Sequence, residues 1–328
     1  MGRSGRDGGK SPLPDPPPTA WREGDRRARC KALSPLAGGG SGGGRPPAMK
    51  ARAHHIESAD GVRLFVREGG TPQGPPMLLL HGWSQHHLSW AKQFEGALAE
   101  RFRLIAPDLR GHGASDKPGE LSHYDRSRPW AEDVAAIMEV LGLDRPLLVG
   151  WSMGGRIALD YLHHFGSDGI SGLALIGSSV VPPGDPDLIA RRRPDAVAEG
   201  MYSDDQRVNL AATIAFVKAC FAAPLSKMDL ATIVGFNMLV PPAIRRAARL
   251  RAPDYEPDFR RIACPVTLYW GEAERLVFRD MIDATRAAIP QARLESFPGA
   301  GHAPFWERAA DFDTRLAAFA FETMGEIA

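Results

Sequence analysis

From His54 onward, short continuous apolar runs alternate with longer stretches in which apolar residues recur every three or four positions. The runs His55–Ser58, Val62–Arg67, Met77–Leu80, Phe102–Pro107, Pro146–Val149, Gly172–Ile176, Val266–Trp270 and Arg293–Phe297 predict eight strands. The first two flank Asp60-Gly61 and read as an antiparallel hairpin. Helical spacing fills the intervals at about Leu88–Leu98, Ala131–Leu141, Arg156–Leu162, Arg279–Ala288 and Pro304–Phe321. Apolar strands without a polar face, separated by amphipathic helices, predict a mostly parallel sheet covered on both faces, an α/β fold.

The alternation fails twice. Between Val180 and Cys264 the pattern is helical and punctuated by prolines, which predicts a helical insertion (residues 180–264) between a first core part (49–179) and a second (265–328). It carries Phe216, Phe221, Met228, Phe236 and Met238, each readable as insertion core or as pocket lining. Residues 1–48 are rich in Gly, Pro and Arg and show no apolar period. Such a segment cannot bury enough surface to offset its ordering entropy, so disorder is expected. With nine basic residues against four acidic ones, it reads either as a basic tail or as an extension ahead of a start at Met49.

Composition narrows the class. The 328 residues are 44% hydrophobic with a formal net charge of +1, which argues against nucleic acid as a partner. No apolar run approaches the ~18 residues of a membrane span. Cys30, Cys220 and Cys264, an odd number with no CxxC spacing, suggest reduced thiols and a cytoplasmic setting.

The candidate chemistry sits at Gly150-Trp151-Ser152-Met153-Gly154-Gly155, between a predicted strand and a predicted helix. Glycines two before and two after the serine permit the tight, strained turn that exposes a nucleophile, where a Cβ would clash. A serine hydroxyl needs a base and an acid to orient that base. Of the ten histidines, only His302, in Gly299-Ala300-Gly301-His302-Ala303-Pro304-Phe305, lies between the last strand and the last helix. The pairs His54-His55, His86-His87 and His163-His164 lack metal-ligand spacing, and no metal or other cofactor is expected. The N–H of Met153, first in the helix after the serine, is a candidate donor to an oxyanion.

These motifs resemble the α/β-hydrolase superfamily from Ile56 to about Phe321. The resemblance implies an eight-stranded α/β-hydrolase fold with a helical cap after strand 6. It places the acid three residues after Gly271, at Glu274, where most relatives carry Asp; Glu272 is the alternative. It makes His81-Gly82-Trp83-Ser84 the second oxyanion loop, with Trp83 donating through its main chain and its indole walling the acyl pocket beside Trp151, Phe216 and Phe236. It treats Ala106–Ser115, including His112, as architectural. Serine at the elbow implies a serine esterase that hydrolyses small carboxylic esters through an acyl-enzyme.

Within the superfamily, Trp83, Trp151 and His302-Ala303-Pro304-Phe305 also resemble pimeloyl-acyl-carrier-protein methyl ester esterases, which dock an acyl carrier protein on cap arginines. The insertion offers Arg191–Arg193, Arg245-Arg246, Arg249, Arg251 and Arg260-Arg261 for that role, or as a solvated helical surface. Cofactor-free haloperoxidases or perhydrolases, carbon–carbon bond hydrolases and low-turnover binding homologues share the same motifs.

Overall fold

The computed structural model describes residues 51–178, 196–251, 254–255 and 258–325. The disorder expected for residues 1–48, and the arginines 191–193, lie outside the described residues. The eight strands are β1 (Arg52–Glu57), β2 (Arg63–Gly70), β3 (Pro76–Leu80), β4 (Arg103–Pro107), β5 (Leu147–Trp151), β6 (Gly172–Ile176), β7 (Val266–Gly271) and β8 (Arg293–Phe297). They form one sheet in the order β1-β2-β4-β3-β5-β6-β7-β8. β2 runs antiparallel to both neighbours, and every other pair is parallel. β5, β6 and β7 are buried along their whole length, as the unbroken apolar runs require of strands covered on both faces. The edge strands β1 and β8 are more exposed and carry charged residues, which discourages pairing with another chain.

The core helices are α1 (Ala91–Glu95), α2 (Ala97–Arg101), α3 (Ser127–Val140) and α4 (Met153–Phe165). Two predicted helices are each divided. The Leu88–Leu98 stretch becomes a 3-10 turn, α1 and α2, broken at Gly96, where a Cβ would lie 2.5 Å from Asp313 Oδ2. Periodicity reports the apolar face of such a segment but not a close approach by a residue far along the chain. α3 begins at Ser127, ahead of the expected Ala131, because Pro129 falls in the first turn, where its missing N–H costs no helical bond.

Between β6 and β7 the described residues form α5 (Ala196–Gly200), α6 (Gln206–Ala219), α7 (Lys227–Met238) and α8 (Pro242–Leu250). Local chemistry sets their starts. Asp205 accepts from Arg207 N and Val208 N, Ser226 accepts from Asp229 N, and Pro242 opens α8. The chain closes with α9 (Arg279–Ala288), α10 (Pro304–Glu307) and α11 (Ala309–Met324), so the predicted final helix is interrupted at Arg308. No helix among the described residues is long and apolar enough to cross a membrane.

Candidate active site

Ser152 joins β5 to α4 with φ 53° and ψ −114°, a region that L-residues rarely occupy. The flanking glycines explain how the turn closes. A Cβ at Gly150 would sit 2.6 Å from Gly155 N, and one at Gly154 would sit 2.3 Å from the Leu80 carbonyl. Only bare backbone fits both approaches, so β5 and α4 meet at a sharp corner with the serine at its tip. Ser152 N–H bonds Ile176 O at 2.8 Å, and Ser178 Oγ donates to Ser152 O at 3.0 Å.

The histidine and glutamate loops meet beside that corner. His302 Nδ1 lies 2.6 Å from Glu274 Oε2, and both side chains are buried. An ionised carboxylate only accepts, so Nδ1 carries the proton and the lone pair of the neutral ring is on Nε2. The other carboxylate oxygen, Oε1, accepts from Arg275 N at 2.8 Å and Leu276 N at 2.7 Å, which fixes the rotamer. Glu272 is elsewhere, accepting from Ser296 Oγ on the exposed side. Gly177 borders this pair: a Cβ there would fall 2.8 Å from His302 Nδ1 and 3.3 Å from Glu274 Oε2. Because Gly177 directly follows Ile176, which holds Ser152 N–H, the serine and the histidine are neighbours across the end of β6. The Trp151 indole N–H donates to His302 O at 2.8 Å, a further tie between them.

Among the described residues, neither Ser152 Oγ nor His302 Nε2 has a hydrogen-bond partner, and no bond is made by the N–H of Trp83 or Met153. Met153 is the first residue of α4, ahead of the intrahelical ladder. Gly82 packs against Trp151, and a Cβ on it would lie 3.4 Å from Ser152 Cβ, so the Trp83 loop adjoins the elbow.

The other histidines have different surroundings. His81 Nε2 accepts from Leu109 N at 3.0 Å while its Nδ1 donates to Gly82 O. His112 Nε2 accepts from Ser84 N at 3.2 Å while its Nδ1 donates to Arg110 O. Burial holds His81 well below its ordinary range, and burial likewise pulls His112 down to about 4. His86, His87 and Asp108 lie together, with ligand-type atoms within 4.8 Å of one another. Asp108 already accepts from His87 N at 2.9 Å and Ala114 N at 2.8 Å, and His87 Nδ1 lies 2.9 Å from it. That is a hydrogen-bonded loop anchor, which sequence spacing did not reveal.

The aromatic residues expected to line a pocket are distributed unevenly. Trp151 is buried against His302 and Phe305, as a strut behind the histidine. Phe216 meets the Trp83 ring edge-on at 5.0 Å, and Phe236 stacks on His86. Met228 is 75% exposed and faces solvent, not a pocket.

The Trp83 indole N–H donates to Arg245 O at 2.8 Å, and the Arg249 guanidinium lies over its ring at 5.0 Å. Arg245 itself is fully buried, although the sequence offered it as a docking cation. Its guanidinium donates to Asn209 Oδ1 at 2.7 Å, Met201 O at 3.2 Å, Thr213 Oγ1 at 3.3 Å and Asn237 O, joining the helices of the insertion. Burial pulls it down to about 10, with no carboxylate among the described residues to offset desolvation. Arg251 is also engaged, bonding Asp160 at 2.7 Å. Of the arginines proposed for docking, Arg246, Arg260 and Arg261 are the exposed ones among the described residues.

Comparison with known proteins decides the family. The model of the alpha/beta hydrolase fold matches residues 75–309. The chain belongs to the α/β-hydrolase family. This α/β hydrolase is 32% identical over 274 residues to a pimeloyl-[acyl-carrier protein] methyl ester esterase of Chromobacterium violaceum, covering 78% of this chain and 97% of that protein. It is 28% identical over 271 residues to an AB hydrolase superfamily protein of Bacillus subtilis, covering 81% and 98% of the two chains. Among solved structures, an esterase from Rhodococcus superposes with a TM-score of 0.74 at 30% identity, covering 83% of this chain and 99% of the other. The family and these relatives support an ester-hydrolysing type of α/β hydrolase.

Proposed function

We propose that this α/β hydrolase is a serine esterase acting on carboxylic esters of small to medium acyl groups, with Ser152 as nucleophile, His302 as base and Glu274 as orienting acid. The observation that carries the reading is the state of the His302 ring. Its Nδ1 is held by Glu274 at 2.6 Å while Nε2 has no partner among the described residues, beside a serine held at φ 53°.

In this mechanism Ser152 Oγ attacks the ester carbonyl carbon as its proton passes to Nε2. The oxyanion accepts from the N–H groups of Trp83 and Met153, each such donor contributing about 3–4 kcal/mol to the transition state. The C–O bond then breaks, and the leaving alkoxide takes the proton from Nε2. A water, deprotonated by the same nitrogen, cleaves the acyl-enzyme to release the acid and restore the serine. Glu274 remains ionised throughout and stabilises the imidazolium.

Helices α5–α8 act as the cap, with Phe216 and the Trp83 indole as candidate walls of the acyl side. A small-molecule ester is favoured over a carrier-protein substrate because Arg245 and Arg251 are committed to internal bonds. The test is burst release from p-nitrophenyl acetate, followed by an acyl-chain-length series. A burst that vanishes in Ser152→Ala supports the assignment, and one that persists overturns it.

A further inference from the structure

The His302 loop is fastened to the helical insertion through one carboxylate that the proposed triad does not use. Glu307, the last residue of α10, accepts three backbone N–H groups. Its Oε1 takes Ala222 N at 2.7 Å and Ala223 N at 3.0 Å, and its Oε2 takes Gly301 N at 2.6 Å. The first two donors follow α6 in the insertion, and the third is the neighbour of His302. A fourth bond runs in parallel, from His302 N to Cys220 O at 3.0 Å. Phe221 meets the Trp306 ring edge-on at 6.3 Å beside them. A Cβ at Gly301 would fall 2.8 Å from Ala222 N, so the two backbones are in direct contact there.

The same α6 carries Phe216 against Trp83 at its other contact with the core. One helix therefore touches the residue proposed to hold the oxyanion and, through Glu307, the loop that carries the base. A carboxylate bridging three N–H donors forms charge-assisted bonds, roughly twice as strong as neutral ones.

We propose that Glu307 is a positioning residue, a clamp that sets His302 against the serine according to where the insertion sits. The proposal rests on the esterase reading and adds to it that seating of the insertion and readiness of the base are coupled. Glutamine at this position keeps one acceptor oxygen but turns an NH2 toward the remaining N–H donors, so it can serve only one of the two segments.

The test compares the full chain with Glu307→Gln and Glu307→Ala by steady-state hydrolysis of p-nitrophenyl acetate and by hydrogen exchange of peptides covering residues 218–224 and 299–303. The expected result is kcat lower by about 10-fold for Gln and about 50-fold for Ala at a temperature well below unfolding, in line with the cost of a misplaced catalytic group. KM should stay within about threefold, and both peptides should exchange faster together. A kcat within about twofold of the parent, or a fall matched by the fraction unfolded, would show Glu307 to be a fold-stabilising residue only and overturns the proposal. Faster exchange in one peptide without the other overturns the coupling. Failure of the esterase reading is distinguishable, because it shows as activity persisting in Ser152→Ala whatever the exchange data report.

Discussion

Two regions of this molecule present histidines at the same edge of the sheet, and they differ in what the ring nitrogens are left to do. After β3 and β4, His81 and His112 each accept a backbone N–H at Nε2 and donate from Nδ1 to a carbonyl. Both rings are closed circuits that shape the loops. After β8, His302 has the same tautomer, but among the described residues only Nδ1 is engaged. The difference is one lone pair. Residue type and loop position do not separate a structural histidine from a basic one; the tally of bonds at each nitrogen does.

That contrast is sharpest in activity. His302→Asn and Ser152→Ala should each lower kcat for p-nitrophenyl acetate by about 10³–10⁴-fold or more, with the fold retained by circular dichroism. His112→Asn should leave turnover of the folded protein within about threefold while lowering stability by about 1–2 kcal/mol through one lost buried bond. If His112→Asn loses activity as His302→Asn does, the comparison fails.

Next in size is the acid. Glu274→Ala should reduce kcat by about 10²–10⁴-fold, and Glu272→Ala by less than about twofold, in the same assay. The reverse ranking would move the acid to Glu272.

Arg245→Met should destabilise the protein by about 2–4 kcal/mol in urea unfolding, because Asn209 Oδ1 and three other acceptors lose their donor inside the insertion. Arg246→Glu, one position on and exposed, should change stability by less than about 0.5 kcal/mol. Equal effects would mean that Arg245 is not the tie among these helices.

The smallest expected effect is the pH dependence of stability. His81, His86 and His112 are all held below the ordinary 6.5 by burial, His86 and His112 at about 4. Between those values the unfolded chain binds protons that the folded chain does not. Stability contributed by these rings is therefore present above about pH 6.5 and is lost as pH falls toward 4. Thermal midpoints measured from pH 7.5 to 5 should decline, and the decline should be shallower in His112→Asn. Because Asp160 and Asp313, raised by burial to about 6, act in the opposite sense, the decisive reading is the difference: a decline equally steep in His112→Asn would contradict the burial of that ring.

The sheet was legible because every strand buries side chains that periodicity can see; all eight segments appear with ends displaced by a few residues. The elbow was legible from its local part, since Gly155 demands Gly150 from within the same six residues, although Gly154 answers to Leu80 on the neighbouring β3. The breaks at Gly96 and Arg308 were not, and at Gly96 the close neighbour is Asp313, more than two hundred residues away. Nor was the burial of Arg245. An arginine in a polar-looking helix reads as surface until Asn209, Thr213 and the carbonyls of Met201 and Asn237 surround it. Glu307 gave no signal at all, since its three partners are main-chain N–H groups, which sequence does not distinguish.

Among the described residues the Ser152 hydroxyl takes part in no bond that holds the corner together; the backbone of Ser152 and Ile176, the Ser178 hydroxyl and the glycine contacts do that. The position is thus separable: its side chain can be removed without disturbing the scaffold that presents it. Ser152→Ala would then be a trap for intact esters, retaining the pocket while lacking the means to open the bond. A panel of candidate esters screened by thermal shift against that variant would reveal the preferred acyl group from binding alone.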